Sequence, residues 1–431
     1  MCFFVESKRP IYSPARASME AANAAETKAK EDAADAKLAA DDEKRMLMSK
    51  SFSSDTEAAP RSEDGELIVR RREIHSGRTM SVSTVEWSVA EKMARPTSAL
   101  EGFMWEKETQ VDRLRERVSL ALLLSQCKLS MSDPKSPKPR DWIGPVKEAG
   151  SDGKFVIIPV SLHLNSYVVF IRMDYLCIYT IFTILLKECK RIEPSLGSLR
   201  KRYDVPKIVK QLVAAGAPAF SINSDGVLFG GSLEDITAAR QASNAAASAE
   251  SSVLDDGVVS PPILASDLLL YPYQLYKLRM AGADAVNLVV GALENKDLVY
   301  LTKIAATINL QVLAVCTSEP QINMITSLAP GSINALVLSN RELESFEFDS
   351  TGQQALSLLK SDVLATFREK HGEDIPVFVE GRVGIIEDGG SSVAYIKALK
   401  EAGAYGAIVG GGVASIHDDD VADCMANWMT C

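Results

Sequence analysis

A (β/α)8, or TIM, barrel is the fold this 431-residue sequence predicts, and three observations carry the prediction. From Thr183 onward, eight short apolar runs alternate with amphipathic helical patterns, and eight is the number that closes a parallel sheet into a barrel. An Ala-Gly-Ala triplet recurs at 215–217, 281–283 and 402–404, each time where a helical pattern gives way to an apolar run. Each central glycine is placed to stop its helix in the left-handed conformation, and the intervals of 66 and 121 residues are about two and four βα units. A doubly wound sheet is the runner-up, but no G-x-G-x-x-G follows a first strand.

Taken in order, residues 1–94 are expected to be a disordered, low-complexity extension. Met19–Lys50 is mostly Ala, Glu, Asp and Lys, so helix propensity is high but there is little surface to bury. It lacks the apolar a/d stripe of a coiled coil, and Ser51–Thr84 reads as linker. The opening Met1-Cys-Phe-Phe-Val run is too short for a secretory signal, and the acidic 20–44 stretch is wrong for a transit peptide. The compartment stays open between cytoplasm and plastid. Residues 95–150 are expected to be helices packed on the barrel. Trp105, Val111, Leu114 and Val118 fall near helical spacing, and Asp141 can cap a second helix.

Residues 151–182 form an apolar insert of unclear status. Val168–Leu186 is long enough to span a bilayer, yet Arg172 and Asp174 lie within it, each costing about 2.5–3.5 kcal/mol at a membrane centre. Its β-branched and aromatic bias suits strands as well. An extra hairpin or irregular insert, a membrane-associated stretch and a translated non-coding piece all remain open. The barrel proper is assigned to 183–431, with strands expected at 183–187, 219–223, 262–265, 285–290, 311–315, 335–338, 376–379 and 406–409.

Composition narrows the chemistry. Hydrophobic residues are 46% and charged residues 24%, enough for a real core, while a net charge of −10 argues against non-specific nucleic-acid binding. Seven scattered cysteines without a C-x-x-C pair argue against a disulfide framework and a zinc site, and fit a reducing compartment. None of the four histidines stands at metal-ligand spacing, so no metal or cofactor is expected.

In such barrels the chemistry sits at the C-terminal strand ends. The candidates there are Glu188, Lys190, Asp225, Ser266, Asp267, Cys316, Arg341, Arg382–Gly384 and Gly410–Gly412. Three glycines after strand 8 let backbone N–H groups approach a phosphate, with Gly384 supplying the facing half. The plain alternative is a tight turn.

At several of these places the chain resembles the indole-3-glycerol-phosphate synthase family of tryptophan biosynthesis. The likeness runs from about Pro96 to Ala414, interrupted by the 150–182 insert. Trp105-Glu-Lys-Glu and Arg140-Asp-Trp-Ile-Gly look like the family's extra N-terminal helices. Glu188-Cys-Lys190-Arg-Ile-Glu-Pro-Ser195 is similar to the strand-1 E-x-K-R/K-x-S-P-S run. Phe229-Gly-Gly-Ser-Leu-Glu-Asp is similar to F-x-G-S-x-E-x-L, and Tyr271-Pro-Tyr-Gln-Leu-Tyr to the helix after strand 3. Asn340-Arg341-Glu-Leu-Glu-Ser-Phe-Glu-Phe-Asp349 is similar to N-R-x-L-x-T-F-x-x-D. The resemblance implies a carbon–carbon lyase that closes an indole ring on a carboxyphenylamino-deoxyribulose phosphate, losing carbon dioxide and water. It implies Glu188 and Lys190 as catalytic groups, and Phe229, Arg341, Gly384, Gly410, Gly411 and Gly412 as substrate-binding ones. Partner enzymes of tryptophan biosynthesis are a further implication.

Other family positions are substituted. The strand-1 serine is Glu193, the strand-3 lysine is Ser266, the strand-5 glutamate is Val315 and the strand-6 asparagine is Ser339. The strand-7 glutamate aligns with Arg382, a charge reversal. A serine cannot supply a fixed cation, and valine cannot act as a base. The expectation is a divergent synthase with a depleted site. The alternative is a catalytically inactive relative that serves as a phosphate-ligand-binding or assembly module.

Overall fold

The computed structural model describes residues 59–72, 96–150, 156–159, 188–189, 192–193, 197–198, 204–214, 219–251, 260–349, 351–381 and 392–409. Ala99–Arg117 (α1) begins where the Ser98 side chain accepts a hydrogen bond from the Glu101 N–H, and Leu120–Ser132 (α2) is capped in the same way by Ser119. These caps satisfy donors that the first helical turn leaves orphaned. Ile143–Gly150 (α3) starts at the expected Asp141, whose Oδ1 accepts from the Ile143 and Gly144 N–H groups at 3.1 and 3.0 Å.

The barrel strands are Val156–Pro159 (β1), Glu188–Cys189 (β2), Phe220–Asn223 (β5), Ile263–Ser266 (β6), Ala285–Val289 (β7), Gln311–Cys316 (β8), Ala335–Ser339 (β9), Val377–Glu380 (β10) and Gly406–Val409 (β11). Between β2 and β5, Ile192–Glu193 (β3) and Gly197–Ser198 (β4) form a separate antiparallel pair. The large sheet is parallel throughout, in the order β1-β11-β10-β9-β8-β7-β6-β5-β2. Helices Val205–Ala214 (α4), Leu233–Ser251 (α5), Pro272–Ala281 (α6), Asn295–Thr307 (α7), Glu319–Thr326 (α8), Gln353–Leu359 (α9), Asp362–His371 (α10) and Ser392–Glu401 (α11) lie between the strands in sequence. Strands β5 to β11 follow the expected runs within a residue or so, and the fold is the (β/α)8 barrel.

The first strand departs from expectation. The expected run 183–187 lies outside the described residues, and the neighbour of strand 2 is Glu188–Cys189, paired to Ser221 and Ile222. The neighbour of strand 8 is Val156–Pro159, in register with Gly406–Val409. A segment read as part of an insert is thus a barrel strand, because its apolar Val-Ile-Ile run finds a parallel partner that local sequence does not reveal.

Two smaller differences follow. The alternation calls for one helix between strands 6 and 7, but there are two, α9 and α10, separated at Lys360, since Ser361 caps a new helix by accepting from Leu364 N–H. Within the 1–94 extension, residues 59–72 lie against α1. Arg70 Nε pairs with Glu101 at 2.8 Å, and Arg71 bridges Glu108 at 3.3 Å and Asp297 at 3.0 Å. Charge complementarity does this, joined by Leu67 and Val69, which pack against the main core, and two apolar residues are too few for a periodicity scan to register. The Ala-Gly-Ala expectation is met at Gly282 (φ 105°) and Gly403 (φ 88°), while 215–217 lie outside the described residues.

Two cores hold the barrel. Between sheet and helices runs a large aliphatic layer that includes Ile222, Ala265, Val286, Leu336 and Val379. Inside the barrel, Leu264, Ala285, Leu313, Val315, Ala335, Val337, Phe378 and Ile408 meet α3 residues Ile143 and Val146 and the adjoining Trp142. Trp142 is fully buried and sits edge-on to Phe378 at 6.3 Å, closing the floor of the barrel. The opposite, C-terminal end is left as the mouth.

Candidate active site at the barrel mouth

Strand alternation decides what faces the mouth. Leu264, Leu313, Val337 and Phe378 point into the barrel, so residues two further along fall on the same face, one layer nearer the mouth. They are Ser266, Val315, Ser339 and Glu380. Parallel register adds Asn223, paired with Ser266, and places Glu188 beside Ser221 on the interior face.

Glu380 is the residue that motif alignment missed. It ends β10 and stands in register with Ser339 on one side and Ile408 on the other. The interior end of strand 7 is therefore a glutamate. Motif spacing drew the E-S-G run onto Arg382-Val383-Gly384, two residues further on, because Gly381-Arg382-Val383-Gly384 offers a similar glycine spacing. A strand ending on a charged residue was the available signal. Arg382 itself, with Lys190, Gly384, Gly410, Gly411 and Gly412, lies outside the described residues.

The substituted positions divide by environment. Val315 is 5% exposed and packed in the inner core, and Ser339 is buried with its Oγ accepting from the Arg341 N–H at 3.3 Å. Ser266 is only partly buried. Glu193 pairs with Gly197 in the β3–β4 ladder, away from the main sheet's pairing. Cys316 alternates outward into the helix-side core, where burial pushes its thiol well above the ordinary range and makes it a poor nucleophile.

Phe229 and Arg341 do come together. The Arg341 guanidinium lies 5.9 Å from the Phe229 ring, 4.9 Å from Phe346 and 3.9 Å from Phe348, and donates to Phe346 O at 2.9 Å. Aromatic faces of this kind hold a guanidinium in place. The loop bearing Phe229 is organised by Asp225, whose Oδ1 accepts from Val227 and Leu228 N–H groups at 2.7 Å each. Gly231 is required there, since a Cβ would sit 2.1 Å from Asn223 O.

Behind the mouth lies a charge cluster that sequence did not single out as a unit. Lys107 of α1, 1% exposed, reaches Asp225 at 2.9 Å and Asp267 at 2.6 Å. Burial works to lower the Lys107 pKa, but the two carboxylates prevail and raise it. Burial also works against ionised Asp225, yet Lys107 and the Leu228 N–H hold its pKa below the ordinary value. Asp267 is pushed up to about 6, by burial first and by Asp225 beside it, against the pull of Lys107. The cluster ties the N-terminal helix to the loops after strands 2 and 3. Asn340 does the same across strands 6 and 7: its Nδ2 donates to Gly381 O and Tyr395 OH at 3.3 and 3.1 Å, and its Oδ1 accepts from Ala355 N–H at 2.9 Å.

Among the described residues no cluster of His, Cys, Asp or Glu could hold a metal ion, and no helix is long and apolar enough to cross a membrane.

Comparison with known proteins gives the geometry a family. The model of the family described as indole-3-glycerol phosphate synthase matches residues 174–422. The chain is 28% identical over 287 residues to an indole-3-glycerol phosphate synthase of Rippkaea orientalis, covering 66% of this chain and 80% of that protein. It is 27% identical over 350 residues to the enzyme of the same name from Microcystis aeruginosa, covering 81% and 95%. A solved structure, tryptophan synthase subunit alpha from Legionella pneumophila, aligns over 66% of this chain and 95% of its own at 15% identity and a TM-score of 0.38. With more than half of its length matched by the family model, and with the barrel and the Phe229, Asn340 and Arg341 motifs in place around one mouth, this chain belongs to the indole-3-glycerol phosphate synthase family, the barrel lyases of tryptophan biosynthesis.

Proposed function

We propose that the barrel binds a phosphorylated anthranilate-ribulose type substrate at its mouth and closes the indole ring slowly. The observation that carries this reading is the make-up of the interior-facing strand ends: Glu188 and Glu380 carry carboxylates, but Ser266 and Val315 replace a cation and a base. Arg341, braced by three phenylalanine rings, is suited to an anionic group of the substrate. Gly384 and Gly410–Gly412 are assigned to the phosphate, where backbone N–H donors suffice. Ring closure needs more, namely an acid at the ketone oxygen and an acid and a base for dehydration. Lys190 and Glu188 supply one such pair and Glu380 a second acid. Losing one electrostatic contributor typically costs about 2.7–4 kcal/mol, or 10²–10³ in rate, and the losses at strands 3 and 5 fall on the same reaction.

The test is indole-ring formation followed by fluorescence, with phosphate-sugar binding by calorimetry. The unmodified chain is expected to bind the phosphate ligand and to turn over well below about 1 s⁻¹. Ser266→Lys with Val315→Glu is expected to raise turnover by about 10² or more, and adding Glu380→Gln to remove that gain. Turnover at an ordinary enzyme rate without these changes would show that Ser266 and Val315 are no handicap. Absence of phosphate binding would remove the glycine site.

A further inference from the structure

The sheet order has an unusual feature at its two ends. One outermost strand, β1, is residues 156–159, and the other, β2, is residues 188–189. In a closed barrel a single first strand contacts both the eighth and the second. Here the eighth-strand contact is made by β1 and the second-strand contact by β2, both parallel. Two pieces of chain share one strand's work, and 28 residues, 160–187, stand between them.

Register says how the pieces belong together. Ile158 pairs with Ile408, which faces the barrel interior, and Glu188 pairs with Ser221, also an interior position. In a strand the interior positions alternate. Joining Pro159 directly to Glu188 gives Val156-Ile-Ile-Pro-Glu-Cys-Lys, with Val156, Ile158, Glu188 and Lys190 all at interior positions. An even number of residues removed keeps this alternation, and 28 is even. The joined strand also brings Glu188 and Lys190 to the mouth end, where β1 alone carries no titratable residue.

The ends of the segment carry an independent sign. It begins with Val160, whose codons all start with GU, and ends with Lys187, one of whose two codons ends in AG. The pair is compatible with the terminal dinucleotides of a spliceosomal intron, in frame and without a stop.

We infer that residues 160–187 are a translated intron, and that the competent form of this protein is the chain in which Pro159 is joined to Glu188. The inference concerns which chain makes the barrel and does not depend on how fast the site turns over. Its protein-level test compares thermal unfolding of the full chain, of a Δ160–187 chain and of a Δ160–186 chain, whose one extra residue turns Glu188 to the outer face. The Δ160–187 chain is expected to unfold cooperatively, about 5 °C or more above the other two. A Δ160–187 chain less stable than the full chain, or no more stable than Δ160–186, overturns the inference. The second readout is amplification of cDNA across the segment. A major product shorter by 28 codons supports the inference, and full-length product alone overturns it even if none of the three proteins folds.

Discussion

Lys107 is where a single side chain decides most. It is buried, Asp225 is buried and Asp267 is nearly so, and together they bind α1 to the loops after strands 2 and 3. Replacing Lys107 by Met keeps the volume and removes the charge, leaving Asp225 ionised without its cation. A loss of about 3 kcal/mol or more is expected, read as a lower urea midpoint at unchanged slope. Asp267 predicts a pH effect of definite sign. Its folded pKa is about 6 against an ordinary 3.8, so between those values the native state holds a proton that the unfolded chain has released. Its contribution to stability is full below about pH 4 and is lost as pH rises through 6. Asp267→Asn should remove this decline, so the variant's melting temperature rises relative to the unmodified chain between pH 4 and 7. Parallel curves would show that Asp267 titrates normally. Asp284, also raised to about 6 by burial, declines in the same window and is left untouched by that substitution, which makes it an internal reference.

At the scale of elements, the Arg70-Arg71-Arg72 run shows how a short segment attaches without a core of its own. Each arginine has an acid on α1: Glu101, Glu108 and Asp112. Exposed ion pairs contribute little, but the carboxylates of Glu101 and Glu108 are almost wholly buried, at 0% and 1% exposed side chain. Removing an arginine strands a buried charge. Arg71→Ala is expected to cost about 1–3 kcal/mol, since among the described residues Glu108 keeps just the Tyr271 hydroxyl at 3.1 Å and the Arg72 N–H at 3.0 Å. Equal urea midpoints for variant and unmodified chain would show that residues 59–72 rest on α1 without supporting it. The same logic of buried polar partners explains Tyr271, whose hydroxyl pKa is driven up to about 12 by burial and by Glu108.

For the whole molecule, the barrel is closed at one end and chemically furnished at the other. Trp142 closes the floor with Ile143 and Val146, and its backbone N–H donates to Gln311 Oε1 at 2.7 Å. Trp142→Ala opens a cavity under Phe378, and a loss of about 3–5 kcal/mol is expected. Calorimetry of the variant should show one transition at lower temperature, and an unchanged midpoint would mean that α3 is not part of the barrel's cooperative unit. Floor and mouth are opposite ends of the strands, so phosphate binding measured below the new midpoint should persist.

Local sequence determined the repeat. Strand runs β5 to β11, the helices between them and the glycine stops at Gly282 and Gly403 follow from apolar periodicity and from backbone freedom, which are properties of neighbouring residues. The motifs at Phe229 and Asn340–Arg341 were legible for the same reason, being contiguous. What only the tertiary structure decided are pairings between residues far apart in the chain. Register across β9, β10 and β11, not spacing within a motif, placed Glu380 at the interior end of strand 7. Parallel pairing with Gly406–Val409 made 156–159 a strand, and pairing with Ser221–Ile222 gave Glu188 its place. Ion pairs over long separations produced the Lys107 cluster and seated 59–72 on α1. Hydrogen-bond register and Coulomb attraction act between atoms close in space, and a sequence lists its residues in another order.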